Sequence, residues 1–475
     1  MDRVITIMRT LTVGRAFLRW IAVVALVACS GSQPRSQNPA GPPSPVVRAG
    51  GEQARDPSII YNQMGLIATS SPLSYVGKIA YFATSRADTT LVLASVSIPN
   101  RMLSFVRDGD TYRAPYEVRL KLSQGTVEVK TVDALEIVRV ATFKEVNRTD
   151  ESVIFQNYFR VPPGDYTISF LVRDAASNRS AIQEGAITVP SLKAGHLSTP
   201  VLVYEAIQRL VLDSVPKILA SPRSSAVFGQ DSTVSVYLEA YGQQSRLPVS
   251  FVVQNDKGGI IWRDTTILER KGALLSGTVN IPISRVGIGI ANVTFTRADA
   301  TDTVRTPVFV SFGNDIPLLS YDELLNQLRY YVSPERLKAL RDIPLDQRGA
   351  AWAAFLKASD PAPATPEHEG LQTYFGRLQQ AAVRFRDDGG GRTGFLSDRA
   401  KVYVVLGEPD QLYEQTTNGP FTQTSISQRG RLQYWDYGQY RLRLVFYDDS
   451  GTGRWRLTPI SETDFSNVNA RLLIH

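Results

Sequence analysis

Apolar and polar residues alternate with a period of two through much of the first two-thirds of the chain. In "VPPGDYTISFLVRDAASNRS", Tyr166, Ile168, Phe170 and Val172 alternate with Thr167, Ser169 and Leu171. A Pro163-Gly164-Asp165 turn opens this stretch, and Asp174 with Ser177-Asn178 closes it. The alternation predicts a strand with one face packed on a second sheet. "GKIAYFATS", "TTLVLASVSI" and "APYEVRLKL" are short, β-branched or aromatic, and set apart by turn residues such as Asp108-Gly109-Asp110. Residues 58–195 therefore read as an antiparallel, immunoglobulin-like β-sandwich. A second β-sandwich is expected over 196–315. There Val234, Val236 and Leu238 share a face, and hairpins turn at Asn255-Asp256-Lys257-Gly258-Gly259 and near Ala298 to Asp302. No sequence repeat relates the two regions.

After Asn314 the period lengthens. Ser320 and Glu323 have capping-box spacing ahead of an apolar stripe of Leu324, Leu325, Leu328 and Tyr331. Ser333-Pro334 starts another helix, Ala350 to Leu356 keeps the helical period, and Thr365-Pro366 restarts it. Leu371, Phe375, Leu378, Ala382 and Phe385 then fall on one face, and His368, near that helix start, is expected to be solvated. "KVYVVLG", "LQYWDYG", "YRLRLVFYDD" and "GRWRLTP" read as strands, so Val402 to Leu406 is expected to be extended. Residues 316–475 are thus predicted to be an α+β domain, with helices first and a small antiparallel sheet after. The fold class expected is multidomain, with two all-β sandwich regions followed by this module.

The first residues follow a different pattern. Arg3, Arg9, Arg15 and Arg19 precede an apolar run from Trp20 to Ala28, which ends at Cys29, the single cysteine. A charged start, a short apolar core and small residues at the cut describe a secretory signal over 1–28. The run is too short to span a bilayer, which takes roughly 20 apolar residues. Leu26-Val27-Ala28-Cys29 resembles a bacterial lipobox. That resemblance implies cleavage before Cys29 and acylation there, with Ser30 after it favouring the outer membrane. Residues 29–57 hold the lipidated cysteine and a linker rich in Ser, Pro, Gly and Gln with no apolar period. As a flexible coil the linker would reach on the order of 30 Å.

Charge narrows the partners. The formal net charge is +7, from 52 basic and 45 acidic residues. Losing the signal removes four arginines and Asp2, which leaves +4. No dense Lys/Arg block remains, so nucleic acid is not an expected partner.

One stretch carries a family resemblance. "GFLSDRAKVYVVLGEPDQLYE" begins with Gly394-Phe395-Leu396-Ser397-Asp398 and Arg399, and continues to Gly407-Glu408-Pro409-Asp410. With the helices before it, "YWDY" and "FYDDSGTGRWRL" after it, it resembles the GWxTD domain of bacterial envelope proteins, with Phe395 replacing Trp and Ser397 replacing Thr. The resemblance implies a secreted or lipid-anchored envelope protein and supplies no catalytic residue. The residues themselves give the motif a structural reading. Gly394 permits an unusual backbone angle, Phe395 plugs a core, and Ser397 or Asp398 caps the following turn. Asp398, Arg399 and nearby acids form ion pairs. Asp410, Trp435, Tyr437 and Trp455 are the residues that could line a groove beside it.

Catalytic chemistry finds little to work with. His196, His368 and His475 lie far apart, no His/Cys cluster offers a metal site, and no catalytic triad or cofactor motif is evident. "DDGGGRTG" lacks the lysine of a phosphate loop, and "DDSGTG" at 448–453 reads as a hairpin turn. The function expected is that of a non-enzymatic envelope lipoprotein, a binding or scaffold module for other envelope proteins acting through its C-terminal domain. The alternative is a carboxylate-dependent hydrolase of cell-wall or surface glycans. It would use a pair about 5–9.5 Å apart drawn from Asp398, Glu408, Asp410, Asp436 and Asp448.

Overall fold

A computed structural model of the chain describes residues 56–146, 152–299, 301–312, 318–362, 364, 368–385, 388, 397–418, 429–449 and 451–475. The signal, Cys29 and the linker to residue 55 lie outside them, as do Gly394, Phe395 and Leu396.

The described chain opens with helix α1 (Pro57–Gln63), capped by the Asp56 carboxylate, which accepts the Ser58 N–H at 2.9 Å. Nine strands follow: β1 (Ile67–Thr69), β2 (Tyr75–Ala83), β3 (Thr90–Pro99), β4 (Val106–Asp108), β5 (Thr111–Gln124), β6 (Val127–Val140), β7 (Ser152–Val161), β8 (Gly164–Asp174) and β9 (Ser180–Val189). A short helix α2 (Phe143–Val146) stands between β6 and β7. One sheet runs β1-β2-β3-β7; the other runs β4-β5-β8-β9, with β6 paired on β5. Their inner faces meet in one core. Tyr166, Ile168, Phe170 and Val172 of β8 are buried there beside Val118, Leu120 and Leu122 of β5 and Val92, Val96 and Ile98 of β3. The alternation in the sequence is thus the alternation of core and surface. Strand β3 is buried at every position, because its other face, Leu91 and Leu93, packs against the next region. A continuous apolar run is what two-sided burial requires.

That next region has nine strands: β10 (Val201–Ile207), β11 (Lys217–Ala220), β12 (Ser225–Val227), β13 (Thr233–Ala240), β14 (Arg246–Asn255), β15 (Ile260–Lys271), β16 (Leu274–Pro282), β17 (Gly289–Arg297) and β18 (Thr303–Ser311). They hydrogen bond in the order β11-β10-β13-β16-β15-β14-β17-β18-β12. The pairing of β15 with β16 covers only Glu269–Lys271 against Leu274–Ser276. The sheet therefore divides into two leaves joined at one hairpin. Val236, Leu238 and Ile281 on one leaf and Phe251, Val293 and Phe295 on the other belong to one core.

Two buried polar clusters lock the β regions together. Arg209 pairs with Glu239 at 2.7 Å, both almost wholly buried, and its Nη2 also donates to the Ala83 carbonyl at 2.8 Å. Tyr237 and Tyr241 donate their hydroxyls to the same carboxylate at 2.8 and 2.9 Å. Lys78 of β2 donates to the hydroxyls of Ser224 at 2.8 Å and Thr306 at 2.9 Å, and burial pushes its amine down to about 7. Desolvation disfavours the charged form, and neutral hydroxyls offset it only in part.

A short helix α3 (Ile283–Val286) lies between β16 and β17, and the C-terminal module follows β18. Helix α4 (Tyr321–Gln327) carries the expected capping box, and α5 (Pro334–Asp342) is capped by Ser333. Then come α6 (Arg348–Ser359), α7 (Glu369–Arg384) and α8 (Asp398–Leu406). A four-stranded antiparallel sheet of β19 (Gln411–Asn418), β20 (Arg429–Tyr437), β21 (Leu442–Asp448) and β22 (Arg456–Leu457) follows, and α9 (Pro459–Leu472) comes last.

Two local expectations are corrected. Val402 to Leu406 is helical, because the Ser397 side chain accepts the Ala400 N–H at 3.1 Å and Gly407, at φ +83°, ends the helix. Val402, Tyr403, Val404 and Leu406 are all buried, so the segment has no polar face to reveal its period. The residues after "GRWRL" continue into α9, with Thr458 as N-cap and Pro459 at the first position.

The core does not break at residue 316. Side chains of the second β region and of α4 to α9 belong to one apolar cluster. Gly349 of α6 lies so close to α3 that a Cβ there would stand 2.3 Å from the Ser284 carbonyl oxygen.

Candidate functional site

Of the expected motif, Ser397, Asp398 and Arg399 are described, at the first turn of α8. Ser397 is the N-cap, which satisfies one of the free N–H groups at the helix start. Asp398 Oδ2 accepts the backbone N–H of Leu457 in β22 at 2.8 Å. Its other oxygen lies 3.4 Å from Lys401 Nζ, which also donates to Glu462 of α9 at 2.8 and 3.0 Å. Helix α8 is thereby tied to a strand and to the last helix.

Arg399 points the other way. Its Nε donates to Asp388 at 2.6 Å and its Nη1 to Gln433 at 3.3 Å. The same Gln433 oxygen accepts the indole N–H of Trp435 at 2.9 Å. The guanidinium carbons of Arg399 and Arg431 each lie 5.0 Å from the ring centre of Trp455, within cation–π range. Arg431 in turn donates to the buried Asp448 at 2.7 Å. Two arginines, two buried carboxylates and two indoles thus form a closed cluster beneath the motif.

The residues expected to line a groove do not line one. Trp435 is 1% exposed, Trp455 4%, and Tyr437 is also buried. Trp435 packs on Phe446 with ring centres 4.8 Å apart, and the Tyr437 hydroxyl donates to the Gly407 carbonyl at 3.0 Å. Burial pushes the Tyr437 hydroxyl well above its usual range. Asp410 is at the surface and accepts the Gly438 N–H at 2.6 Å.

The other acids are similarly engaged. Glu408 takes Arg384 at 2.8 Å, and Asp436 takes Arg443 in a fork at 2.6 Å from both nitrogens, which holds its carboxyl below the usual range. Asp448 also accepts the Gly453 N–H at 2.8 Å, so that carboxylate closes the turn of "DDSGTG". Among the described residues no group of three His, Cys, Asp or Glu side chains is placed to hold a metal ion. His368 is buried, contrary to expectation. Its Nδ1 accepts the Leu371 N–H at 3.1 Å as the cap of α7, its Nε2 is 3.0 Å from Ser359 Oγ, and burial lowers its pKa.

Sequence reasoning missed Asp388 and Gln433. Gln433 has the same strand parity as Trp435 and Tyr437, a signal that it faces inward; nothing local marks Asp388. It also missed a cavity of about 20 Å³ between the β14–β15 turn and α4, edged by Asp256, Tyr321, Asp322 and Arg348. That is room for about one water. Burial raises the Asp256 carboxyl there, and Lys257 pairs with Asp322.

The GWxTD domain model matches residues 294–439, so the match begins inside β17 and ends just before β21. No curated protein matches the sequence. Similar solved structures include dimeric latent PorU from Porphyromonas gingivalis, 11% identical, with a TM-score of 0.23 over 50% of this chain and 20% of that one. The fibronectin(III)-like modules of Clostridium thermocellum CbhA are 12% identical, with a TM-score of 0.13 over 50% of this chain and 95% of that one. A Bifidobacterium dentium beta-glucuronidase is 8% identical, with a TM-score of 0.17 over 51% and 49%. The chain spans about a fifth of the PorU chain.

Proposed function

We propose that this chain, whose residues 294–439 form a GWxTD domain, is an envelope lipoprotein that binds other envelope proteins and performs no catalysis. The observation that carries this reading is how the motif spends its polar groups. Ser397 caps a helix, Asp398 holds the backbone of β22, and Arg399 closes a cluster with Asp388 and Gln433. A carboxylate committed to a backbone N–H and a lysine is poorly placed to shuttle protons, since a catalytic acid or base must reach the reacting atom. Acylation of Cys29 would anchor the chain through more than one acyl chain, as stable anchoring requires.

The C-terminal module keeps apolar side chains for contact. Val383 of α7 and Ile460 of α9 are largely exposed, and Gln380, Arg384 and Tyr403 border an open depression beside Val383. The test is a crosslinked pull-down from native membranes with the full chain, Val383→Glu and Ile460→Glu. Truncation before the helices is unsuitable, because it would open the core that both regions build. A partner held by the full chain and lost by a surface variant supports the reading. Cleavage of envelope glycans by the purified chain, abolished by Asp410→Asn, would replace it with the hydrolase. Loss of acyl labelling of the chain in Cys29→Ser checks the anchor separately.

A further inference from the structure

The segment 208–216 joins β10 to β11, and it combines exposed apolar side chains with paired backbone carbonyls. Its apolar side chains face solvent: Leu210 and Val211 are each 58% exposed and Val215 is exposed too, with Ile207 and Leu219 continuing the patch onto the two strands. Its backbone carbonyls, by contrast, are mostly paired within the protein. The Leu210 carbonyl accepts the Ala273 N–H at 2.8 Å, and the Val211 carbonyl accepts the Ser214 hydroxyl at 2.8 Å. Arg209 Nη1 donates to the carbonyls of Leu212 at 2.7 Å and Ser214 at 2.8 Å, while its Nη2 is fixed in the buried pair with Glu239. Arg160 donates to the Asp213 carbonyl at 2.5 Å, and the Tyr158 hydroxyl donates to that of Pro216 at 2.8 Å. Six of the seven carbonyls from 210 to 216 thus have a protein donor.

We propose that this loop is a membrane-contact site that seats Leu210, Val211 and Val215 among the acyl chains of an anionic lipid surface. Lipid offers no hydrogen bonds, and six carbonyls of this segment are already paired within the protein before contact. The surrounding charge fits the same partner. Arg160 and Lys217 flank the loop, and Arg270 and Lys271 belong to the turn that contacts Leu210; these four cations outnumber the loop's one carboxylate, Asp213, which Arg160 partly offsets. Aliphatic side chains within a basic rim are what an anionic headgroup layer accepts. The buried Arg209 holds the loop in the inserting conformation before contact, so little ordering remains to be done. The site does not depend on acylation of Cys29.

The experiment uses the full chain with Cys29→Ser, carrying a single environment-sensitive label at Leu210→Cys or, as a control on β6, at the exposed Leu135→Cys. Vesicles of phosphatidylcholine with phosphatidylglycerol are compared with vesicles of phosphatidylcholine alone, with and without bromine on the acyl chains. The label at 210 should shift to the blue and be quenched by acyl-chain bromine, more strongly with phosphatidylglycerol, while the label at 135 stays unchanged. Val211→Glu should lower partitioning about tenfold or more at unchanged thermal stability. An unresponsive label at 210, an equal response at 135, or a shift without acyl-chain quenching would overturn the proposal. The last of these would assign the patch to protein association.

Discussion

The carboxylate of Asp398 accepts the backbone N–H of Leu457 at 2.8 Å, across 59 residues of chain. A charged acceptor on a backbone donor is among the stronger hydrogen bonds in a protein, and here it docks β22 onto the start of α8. Asp398→Ala should therefore destabilise the chain by about 1–3 kcal/mol, by leaving that N–H unpaired. Urea unfolding measures the change. An Asp398→Ala chain as stable as the parent would show that the contact is not maintained.

Arg399 depends on its shape as well as its charge. It forks to Asp388, reaches Gln433 and lies on Trp455 at once. Lysine keeps the charge but supplies neither the planar fork nor the stacking surface. Arg399→Lys should cost about 1.5–3 kcal/mol. Arg399→Ala should cost more, about 3–5 kcal/mol, because it leaves Asp388 buried without a countercharge. Trp435 and Trp455 fluorescence during unfolding would follow both variants.

Lys78 gives stability a pH dependence of definite sign. Its folded pKa is lowered to about 7, against an ordinary value of 10.5. Below pH 7 both states carry the proton, and the folded state bears the whole cost of the buried charge. Between about 7 and 10 the unfolded chain keeps a proton that the folded chain has released, so stability rises with pH. The parent should gain up to about 1.4 kcal/mol per pH unit in that window relative to Lys78→Met. Parallel pH series of chemical unfolding for the two chains would reveal identical slopes if the amine were not desolvated.

Gly349→Ala and Gly376→Ala form a matched pair of helix substitutions. At Gly349 the new methyl would stand 2.3 Å from the Ser284 carbonyl, whereas at Gly376 it would meet nothing within 4 Å. Gly349→Ala should destabilise by about 1–3 kcal/mol through overpacking. Gly376→Ala should stabilise by about 0.5–1 kcal/mol, from helix propensity alone. Thermal midpoints moving in opposite directions would verify the close approach of α6 to α3.

Where the fold was legible, the reason is periodicity. The alternation of Tyr166, Ile168, Phe170 and Val172 is a local record of a half-buried strand, and Ser320 with Glu323 is a local record of a helix start. Helix α8 was misread because burial on all sides erased its pattern and left only the strand preference of its valines. His368 was misread because a ring at a helix start can face either way, and only packing against Ser359 and Phe312 decides it. The groove expected from Asp410, Trp435, Tyr437 and Trp455 failed similarly: strand parity puts Trp435 and Tyr437 on one face of β20, and that face, like Trp455, belongs to the core. Long-range pairs such as Arg209 with Glu239 have no signature in sequence, since charge patterns do not say which charges leave water.

The contact between Gly349 and Ser284 also bears on how such a protein can be inherited. Helix α6 rests its backbone on the turn between β16 and β17, so a gene segment beginning at residue 316 would encode helices without the surface they are shaped against. Recombination that respects this fit must carry the preceding strands along with the helices. The transferable piece is therefore a partnership of sheet and helices, and its ancestry should be traced through both together.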